Sequence, residues 1–110
     1  MIASRVCALA LLLAGAAIDA TAVAQAAPHG TPTVVIDGVK FAPETVTVKR
    51  GDTVVWVNND PFPHTVTAKG VFDSGEIPAG KSWRYKARKA GVYPYVCTLH
   101  PNMKATLKVE

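Results

Sequence analysis

The chain has 110 residues, of which 49% are hydrophobic and 18% are charged, and its formal net charge is +4. This length allows one domain with a modest hydrophobic core. The basic residues are not interleaved with a recognisable nucleic-acid-binding motif, so the positive charge does not predict binding to nucleic acid.

The N-terminal segment has the order of features that marks a secretory signal peptide. Arg5 stands near the start, the apolar run 6–18 follows, and small residues close the segment. The apolar run is shorter than the roughly 20 residues that a membrane-spanning helix needs. Export favours the periplasm, and the mature protein is expected not to insert into a membrane. The sequence therefore predicts a signal peptide over 1–26, a flexible tail over 27–32 and one exported domain over 33–110.

Cysteine usage in the exported part needs an explanation. Cys7 lies in the predicted signal peptide, so Cys97 remains as the only cysteine and cannot form an intramolecular disulfide. Exported compartments favour disulfides, and an unpaired thiol is uncommon there. Cys97 is therefore either a buried small apolar residue or a ligand for a soft metal ion.

From Thr33 onward, short runs rich in β-branched and aromatic residues alternate with turn residues such as Asp37-Gly38 and Gly51-Asp52. No stretch has helical periodicity long enough to predict a helix. The pattern predicts an all-β domain of about eight strands, either a sandwich or a barrel. The predicted strands are 33–36, 39–41, 45–49, 53–57, 64–68, 81–87, 92–97 and 104–109.

Alternation along these strands predicts which side chains face the core, because neighbours on a strand point to opposite faces of the sheet. His64 and Cys97 both fall on core-facing positions. Trp83 and Tyr85 also face inward, and Arg84, Lys86 and Arg88 lie on the opposite face of their strand. With Lys81 and Lys89 they make up a basic group. They form either a solvated strand face or a docking surface for an acidic partner.

The segment from Cys97 to Met103 carries a thiol, an imidazole and a thioether at the spacing C-x2-H-x2-M. It joins two predicted strands, so Cys97, His100 and Met103 are expected to lie on one tight loop at an end of the domain. A loop can wrap around an ion, but it leaves one side open. His64 begins another strand with its side chain toward the core, and it is placed to close that side.

This set of donors predicts copper. Two imidazoles and a thiolate with a weak axial thioether form a site in which copper can change oxidation state with little rearrangement of ligands. Zinc is less well matched, because structural zinc sites use more cysteines or harder donors. Each residue alone has a simpler explanation: Met103 as core filler, His64 as a hydrogen-bonded loop histidine and Cys97 as a buried thiol. Together, in an exported all-β chain, they favour a metal site.

The two segments that carry these residues resemble those of the cupredoxins. The run 51–60 (GDTVVWVNND), the following Pro63-His64-Thr65 and the run 97–103 (CTLHPNM) are similar to the amicyanin and plastocyanin-like group. The resemblance covers about 34–109 and implies a Greek-key β-sandwich of about eight strands, with one copper ion at one end. The ligands that it implies are His64, Cys97, His100 and Met103.

The resemblance also implies a hydrogen bond between Thr65 and Thr98 that ties the two ligand segments together. Bonds of this kind hold metal ligands in place and tune the metal. Amicyanins typically carry Asn at the position of Thr65, and Pro and Phe at the positions of Leu99 and Asn102. Because this chain departs from them at the rim of the site, the partner and the redox potential do not carry over.

The predicted function is that of a type 1 blue-copper protein that carries single electrons and is not an enzyme. His100 is expected to reach the surface within an apolar rim suited to brief contacts. The predicted rim consists of Phe62, Pro63, Leu99, Pro101 and Asn102. The predicted partners are redox proteins that donate and accept the electron, and the protein itself is expected to be a monomer. One alternative is a periplasmic copper carrier or buffer, and another is a thiol enzyme with Cys97 as nucleophile.

Overall fold

The computed structural model describes residues 31–110 and, before them, only Gly15. Apart from Gly15, the signal peptide predicted over 1–26 lies outside the described residues, as do the first four residues of the tail predicted over 27–32. The described residues contain no helix that is long and apolar enough to cross a membrane. Their strands are β1 (Thr33–Ile36), β2 (Phe41–Ala42), β3 (Thr45–Val48), β4 (Thr53–Asn58), β5 (Thr67–Ala68), β6 (Phe72–Asp73), β7 (Ser82–Lys86), β8 (Gly91–Cys97) and β9 (His100–Val109).

The strands form two sheets, one of four strands in the order β2-β1-β4-β7 and one of five in the order β3-β9-β8-β5-β6. Two neighbouring pairs, β1 with β4 and β3 with β9, are parallel, and the other pairs are antiparallel. Parallel neighbours cannot be joined by a hairpin and need a longer crossover connection. Between β1 and β4 the chain crosses to the other sheet, where it forms β3, and then returns. The predicted all-β sandwich is confirmed.

The buried side chains follow the predicted alternation. In β9, Ala105, Leu107 and Val109 are buried, whereas Lys104 and Lys108 are exposed. The same alternation holds in β7, where the inward-facing aromatic side chains are half-buried and the outward-facing side chains are exposed. The predicted faces of these two strands are therefore confirmed.

An aromatic cluster forms part of the core. The ring of Trp56 is fully buried, and its centroid lies 5.6 Å from that of Tyr95 and 5.4 Å from that of Trp83. The indole N–H of Trp56 donates a hydrogen bond of 3.2 Å to the Tyr95 hydroxyl. Burial raises the pKa of Tyr95 to about 12, although the hydrogen bond from Trp56 acts in the opposite direction. The hydroxyl therefore stays neutral well into the alkaline range.

The strand predicted over 39–41 is displaced. β2 begins at Phe41, because Gly38 and Val39 both have φ of 60° and form a turn. The backbone of this turn is closed by a hydrogen bond from the Asp37 N–H to the Lys40 carbonyl, of 3.1 Å. A valine in this left-handed region is strained, so something outside the turn must hold it there.

The strand predicted over 64–68 is mostly irregular, and β6 was not predicted. Only an isolated bridge from His64 to Ile77 and the two-residue β5 remain of the predicted strand. The intervening Val66 bonds instead to Ser74: its N–H donates to the Ser74 hydroxyl, and its carbonyl accepts the Ser74 N–H. These bonds replace a strand ladder and set the path of the chain away from His64.

A tyrosine hydroxyl fixes the turn between β7 and β8. The Tyr93 hydroxyl donates to the Lys89 carbonyl over 2.7 Å. We expect Tyr93→Phe to lower the free energy of unfolding by about 1 kcal/mol, which is typical for the loss of one such bond. Urea unfolding measures this, with Tyr85→Phe as the matched control, because the Tyr85 hydroxyl makes no hydrogen bond within residues 31–110. Equal stability losses in the two variants would contradict the assignment.

Candidate metal centre

Three side chains of the predicted site converge at one end of the sandwich. The donor atoms of His64, Cys97 and His100 all lie within 4.8 Å of one another. The Cys97 Sγ is 3.6 Å from Nδ1 of His64 and 4.0 Å from Nδ1 of His100. His64 and Cys97 are fully buried, whereas His100 is half-buried. The cluster is therefore enclosed by the protein, with one imidazole nearest to the surface.

These separations fit a metal ion bound by all three donors. Metal–nitrogen bonds of about 2.0 Å and metal–sulfur bonds of about 2.3 Å, at angles between tetrahedral and trigonal, put nitrogen and sulfur roughly 3.5 to 3.7 Å apart. The observed distances of 3.6 and 4.0 Å lie close to this range. One soft thiolate with two imidazoles is a donor set that suits copper.

Met103 supplies the remaining predicted donor from the same strand as His100. Its side chain is buried with 2% exposure, and it belongs to the core cluster that also includes Cys97. Its burial is compatible with the fourth place in the predicted set. The roles of these four residues as metal ligands stay a prediction.

The ligand segment is a strand hairpin with a break in its register, where the sequence suggested a loop. β9 already begins at His100, so only Thr98 and Leu99 form the turn. Val96 pairs with Lys104, but the next residue, Cys97, pairs with His100. Residues 101–103 therefore have no partner on β8, which is the surplus of residues on one strand that defines a bulge.

A buried carboxylate that the sequence analysis did not identify holds His64. Asp60 is 5% exposed, and its Oδ2 lies 2.7 Å from Nε2 of His64. It also accepts the N–H of Gly38 over 2.7 Å and that of Val39 over 2.9 Å. An ionised carboxylate can only accept, so Nε2 of His64 carries the proton of this bond. Nδ1 is then the ring nitrogen that faces Cys97, 3.6 Å from its sulfur.

The contacts of Asp60 also set its ionisation. Burial alone would raise its pKa, but hydrogen bonds from Val39, His64 and Gly38 together lower the pKa below the ordinary value of 3.8. The carboxylate is therefore charged at neutral pH, which keeps the His64 ring in one orientation and one tautomer. The same bonds hold the strained Val39 in its turn.

Asn58 organises the loop that carries His64, and it too was not identified from the sequence. Its side-chain amide donates to the carbonyls of Phe62 and Ile77, each over 2.9 Å, and its Oδ1 accepts the Asp60 N–H over 3.0 Å. The side chain is fully buried. One side-chain amide thus provides hydrogen bonds to two backbone groups of this loop and to one backbone group at Ile77.

Two threonines join the loop of His64 to the turn after Cys97. The Thr98 N–H donates to the Thr65 hydroxyl over 2.8 Å, and the two hydroxyls are 3.0 Å apart. The Thr65 N–H points at the Cys97 sulfur over 3.3 Å. These contacts hold the Cys97 sulfur and the loop of His64 in a fixed relative position.

The residues of the predicted rim are exposed, and one of them packs against the His100 ring. Phe62 is 38% exposed and Leu99 is 44% exposed, and Pro63, Pro101 and Asn102 are also exposed. The Phe62 ring contacts both imidazoles of the site, with centroid distances of 5.2 Å to the buried ring and 5.7 Å to the half-buried one. The role of the five residues as a rim around His100 stays a prediction.

Comparison with known proteins supports this arrangement. The family model described as a Cupredoxin-like domain matches residues 5–109. The chain is 38% identical over 111 residues to amicyanin-alpha of Methylorubrum extorquens, covering 94% of this chain and 93% of that protein. It is 38% identical over 88 residues to plastocyanin of Scenedesmus fuscus, covering 64% and 86%. A solved Cu(I) form of an amicyanin mutant superposes with a TM-score of 0.69 at 32% identity, covering 74% of this chain and 83% of that one.

Proposed function

Because the chain belongs to the cupredoxin family, we propose that it is an exported blue-copper protein that carries single electrons between redox proteins in the periplasm. Its copper ion is held by His64, Cys97, His100 and Met103. When bound, copper supplies a one-electron couple between Cu(II) and Cu(I). We assign the protein electron carriage and no catalysis. The observation that carries the proposal is the convergence of the two imidazoles and the thiol within 4.8 Å.

The residues of the chain hold the donors in a fixed arrangement. Asp60 fixes the His64 ring, and the Thr65 N–H fixes the Cys97 sulfur. A site whose ligands are oriented by such bonds does not need to rearrange when the charge at its centre changes. Small rearrangement keeps the barrier to electron transfer low, which is what a carrier requires.

His100 is proposed as the point where electrons enter and leave. Among the three clustered donors it alone is half-buried, and it stands inside the rim of Phe62, Pro63, Leu99, Pro101 and Asn102. A small apolar patch gives contacts that form and separate quickly, as transient redox encounters do. Partner proteins are therefore expected to touch this rim.

Export is proposed from the N-terminal sequence. The basic Arg5, the apolar run 6–18 and the small residues before Ala27 match a signal peptide over 1–26. Residues 27–32 would then form the tail of the mature chain, ahead of the domain over 33–110. N-terminal sequencing of protein recovered from the periplasm tests this, and we expect it to begin near Ala27.

Absorption spectroscopy tests the proposed site. Addition of Cu(II) to the purified protein is expected to give an intense blue colour from sulfur-to-copper charge transfer, and Cys97→Ala is expected to remain colourless. Fast electron self-exchange should accompany the colour. A colourless wild-type product would refute the proposal, and a blue protein with slow self-exchange but rapid copper loss to a chelator would indicate a copper carrier instead.

A further inference from the structure

The outward face of β7 and the segments directly before and after it carry a row of cations. This basic flank consists of Lys81, Arg84, Lys86, Arg88 and Lys89, all of which are exposed. Within residues 31–110, none of these five side chains lies within ion-pair distance of a carboxylate. Asp52, whose backbone pairs with that of Ala87, directs its carboxylate to the Lys49 N–H instead. The flank therefore presents uncompensated positive charge.

A cavity adjoins the far end of the basic flank. It has a volume of about 450 Å³ and lies between the segment 88–93 and the turn at Gly70 and Val71. Two cations of the flank line it together with two tyrosines, and no acidic side chain does. Val71 and Val92 also line it, and they are 48% and 62% exposed. The cavity thus combines positive charge with exposed apolar surface.

This surface is separate from the metal centre. β8 begins at Gly91 beside the cavity and ends at Cys97, six residues later. At about 3.4 Å per residue, the cavity lies roughly 20 Å from the thiol along the strand. The rim around His100 is at the other end, so electron exchange there does not account for the basic flank.

Two simpler explanations account for only part of these observations. β7 is the edge strand of its sheet, and cations on an edge strand oppose pairing with other sheets. This explains the charge but leaves the cavity and its exposed valines without a role. An anionic membrane would also attract the flank, but a bilayer surface does not enter a concave pocket, whereas a polypeptide side chain does.

We propose that the basic flank and the adjoining cavity bind an acidic, extended segment of a protein partner. Carboxylates of the segment would face Arg84, Lys86 and Arg88, and one apolar side chain would enter the cavity between Val71 and Val92. The charge complementarity selects the partner, and the cavity fixes the register of the segment. The partner would leave the rim around His100 open to a second protein.

Nuclear magnetic resonance titration tests this with a synthetic oligo-glutamate peptide that carries one central leucine. We expect chemical shift changes confined to residues 82–92 and 70–71. Lys86→Glu with Arg88→Glu should weaken binding about ten-fold or more. Lys49→Glu with Lys104→Glu changes the net charge equally at positions outside the basic flank and should weaken binding much less. Equal weakening by both pairs, absence of binding, or shifts centred on the rim would overturn the proposal.

Two further measurements separate this proposal from others. Anionic phosphatidylglycerol vesicles are expected to bind no more strongly than the peptide, and vesicle binding through residues 82–92 in the absence of peptide binding would overturn it in favour of a membrane. The titration is run with Cu(I)-loaded and copper-free protein, and the same shifts are expected in both. The basic flank is thus judged independently of the proposed electron transfer.

Discussion

Replacement of Asp60 by alanine is expected to lower the free energy of unfolding by about 3 kcal/mol, because it removes the acceptor for three buried or partly buried donors. Those donors are the N–H groups of Gly38 and Val39 and the Nε2 of His64. The strained turn at Val39 would lose its anchor at the same time. Urea unfolding of the copper-free protein measures the change, and Asp37→Ala is the control for loss of an exposed carboxylate, with an expected change under about 0.5 kcal/mol.

The same substitution is expected to weaken copper binding by about ten- to one hundred-fold, as loss of a carboxylate behind a histidine ligand typically does. Without Asp60, the His64 ring can rotate and exchange tautomers, so an unprotonated Nδ1 is no longer held facing Cys97. Competition with a chelator of known affinity measures this. Asp60→Asn provides the matched variant, because one amide oxygen cannot serve all the donors that the carboxylate serves. Copper binding by Asp60→Asn as tight as in the wild type would contradict the role assigned to Asp60.

The lowered pKa of Asp60 gives this stabilisation a defined pH dependence. A carboxylate whose pKa is lower in the folded protein stabilises the fold above its unfolded pKa, and this contribution is lost as pH falls through the folded pKa. We therefore expect the stability difference between the wild type and Asp60→Ala to be constant near neutral pH and to shrink below about pH 4. A difference that stayed constant into strong acid would contradict the assignment.

Asn58→Ala is expected to have a similarly large effect, of about 3 kcal/mol, through a different set of bonds. It would leave the carbonyls of Phe62 and Ile77 and the N–H of Asp60 without their buried partner. The loop between β4 and the bridge at His64 would then lose its fixed shape. Chemical unfolding and hydrogen exchange of the loop amides measure the two consequences, and the exposed neighbour Asn59→Ala is the control.

Asn58→Asp sharpens this prediction because it keeps the size and shape of the side chain. A carboxylate cannot donate, so it would face two carbonyl oxygens, and it would stand beside the charged Asp60. We expect it to be at least as destabilising as Asn58→Ala at neutral pH. The double variant that combines Asn58→Ala with Asp60→Ala should lose less stability than the sum of the two single losses, because the two side chains hold the same loop. Additive losses would show that the two side chains act independently.

The faces of the long strands could be read from the sequence because burial there depends only on position along the strand. In β9, the predicted faces from Lys104 to Val109 agree with the pattern of buried and less buried side chains. His64 and Cys97 are both buried, as alternation predicted, although the strand predicted over 64–68 is mostly irregular. Burial of side chains on a regular strand depends on local backbone geometry, and the period of two in the sequence indicates it.

The residues that support the site depend on contacts between distant segments, and periodicity does not record these. Asp60 bonds to Gly38 and Val39, which lie 22 and 21 residues away, so nothing in its own neighbourhood indicates burial. The position of Asp60 in a loop four residues before His64 was the one local signal, and a charged loop residue is normally exposed. β6 has two residues, which is too short for alternation to be detected.

The shift in register between β8 and β9 divides their pairing into a long ladder and one separate pair next to the metal centre. The ladder runs unbroken from Gly91 with Val109 to Val96 with Lys104, and the unpaired residues 101–103 lie between it and the separate pair of Cys97 with His100. Substitutions at Pro101 and Asn102 would therefore alter the exposed surface next to His100 without removing a pair of that ladder.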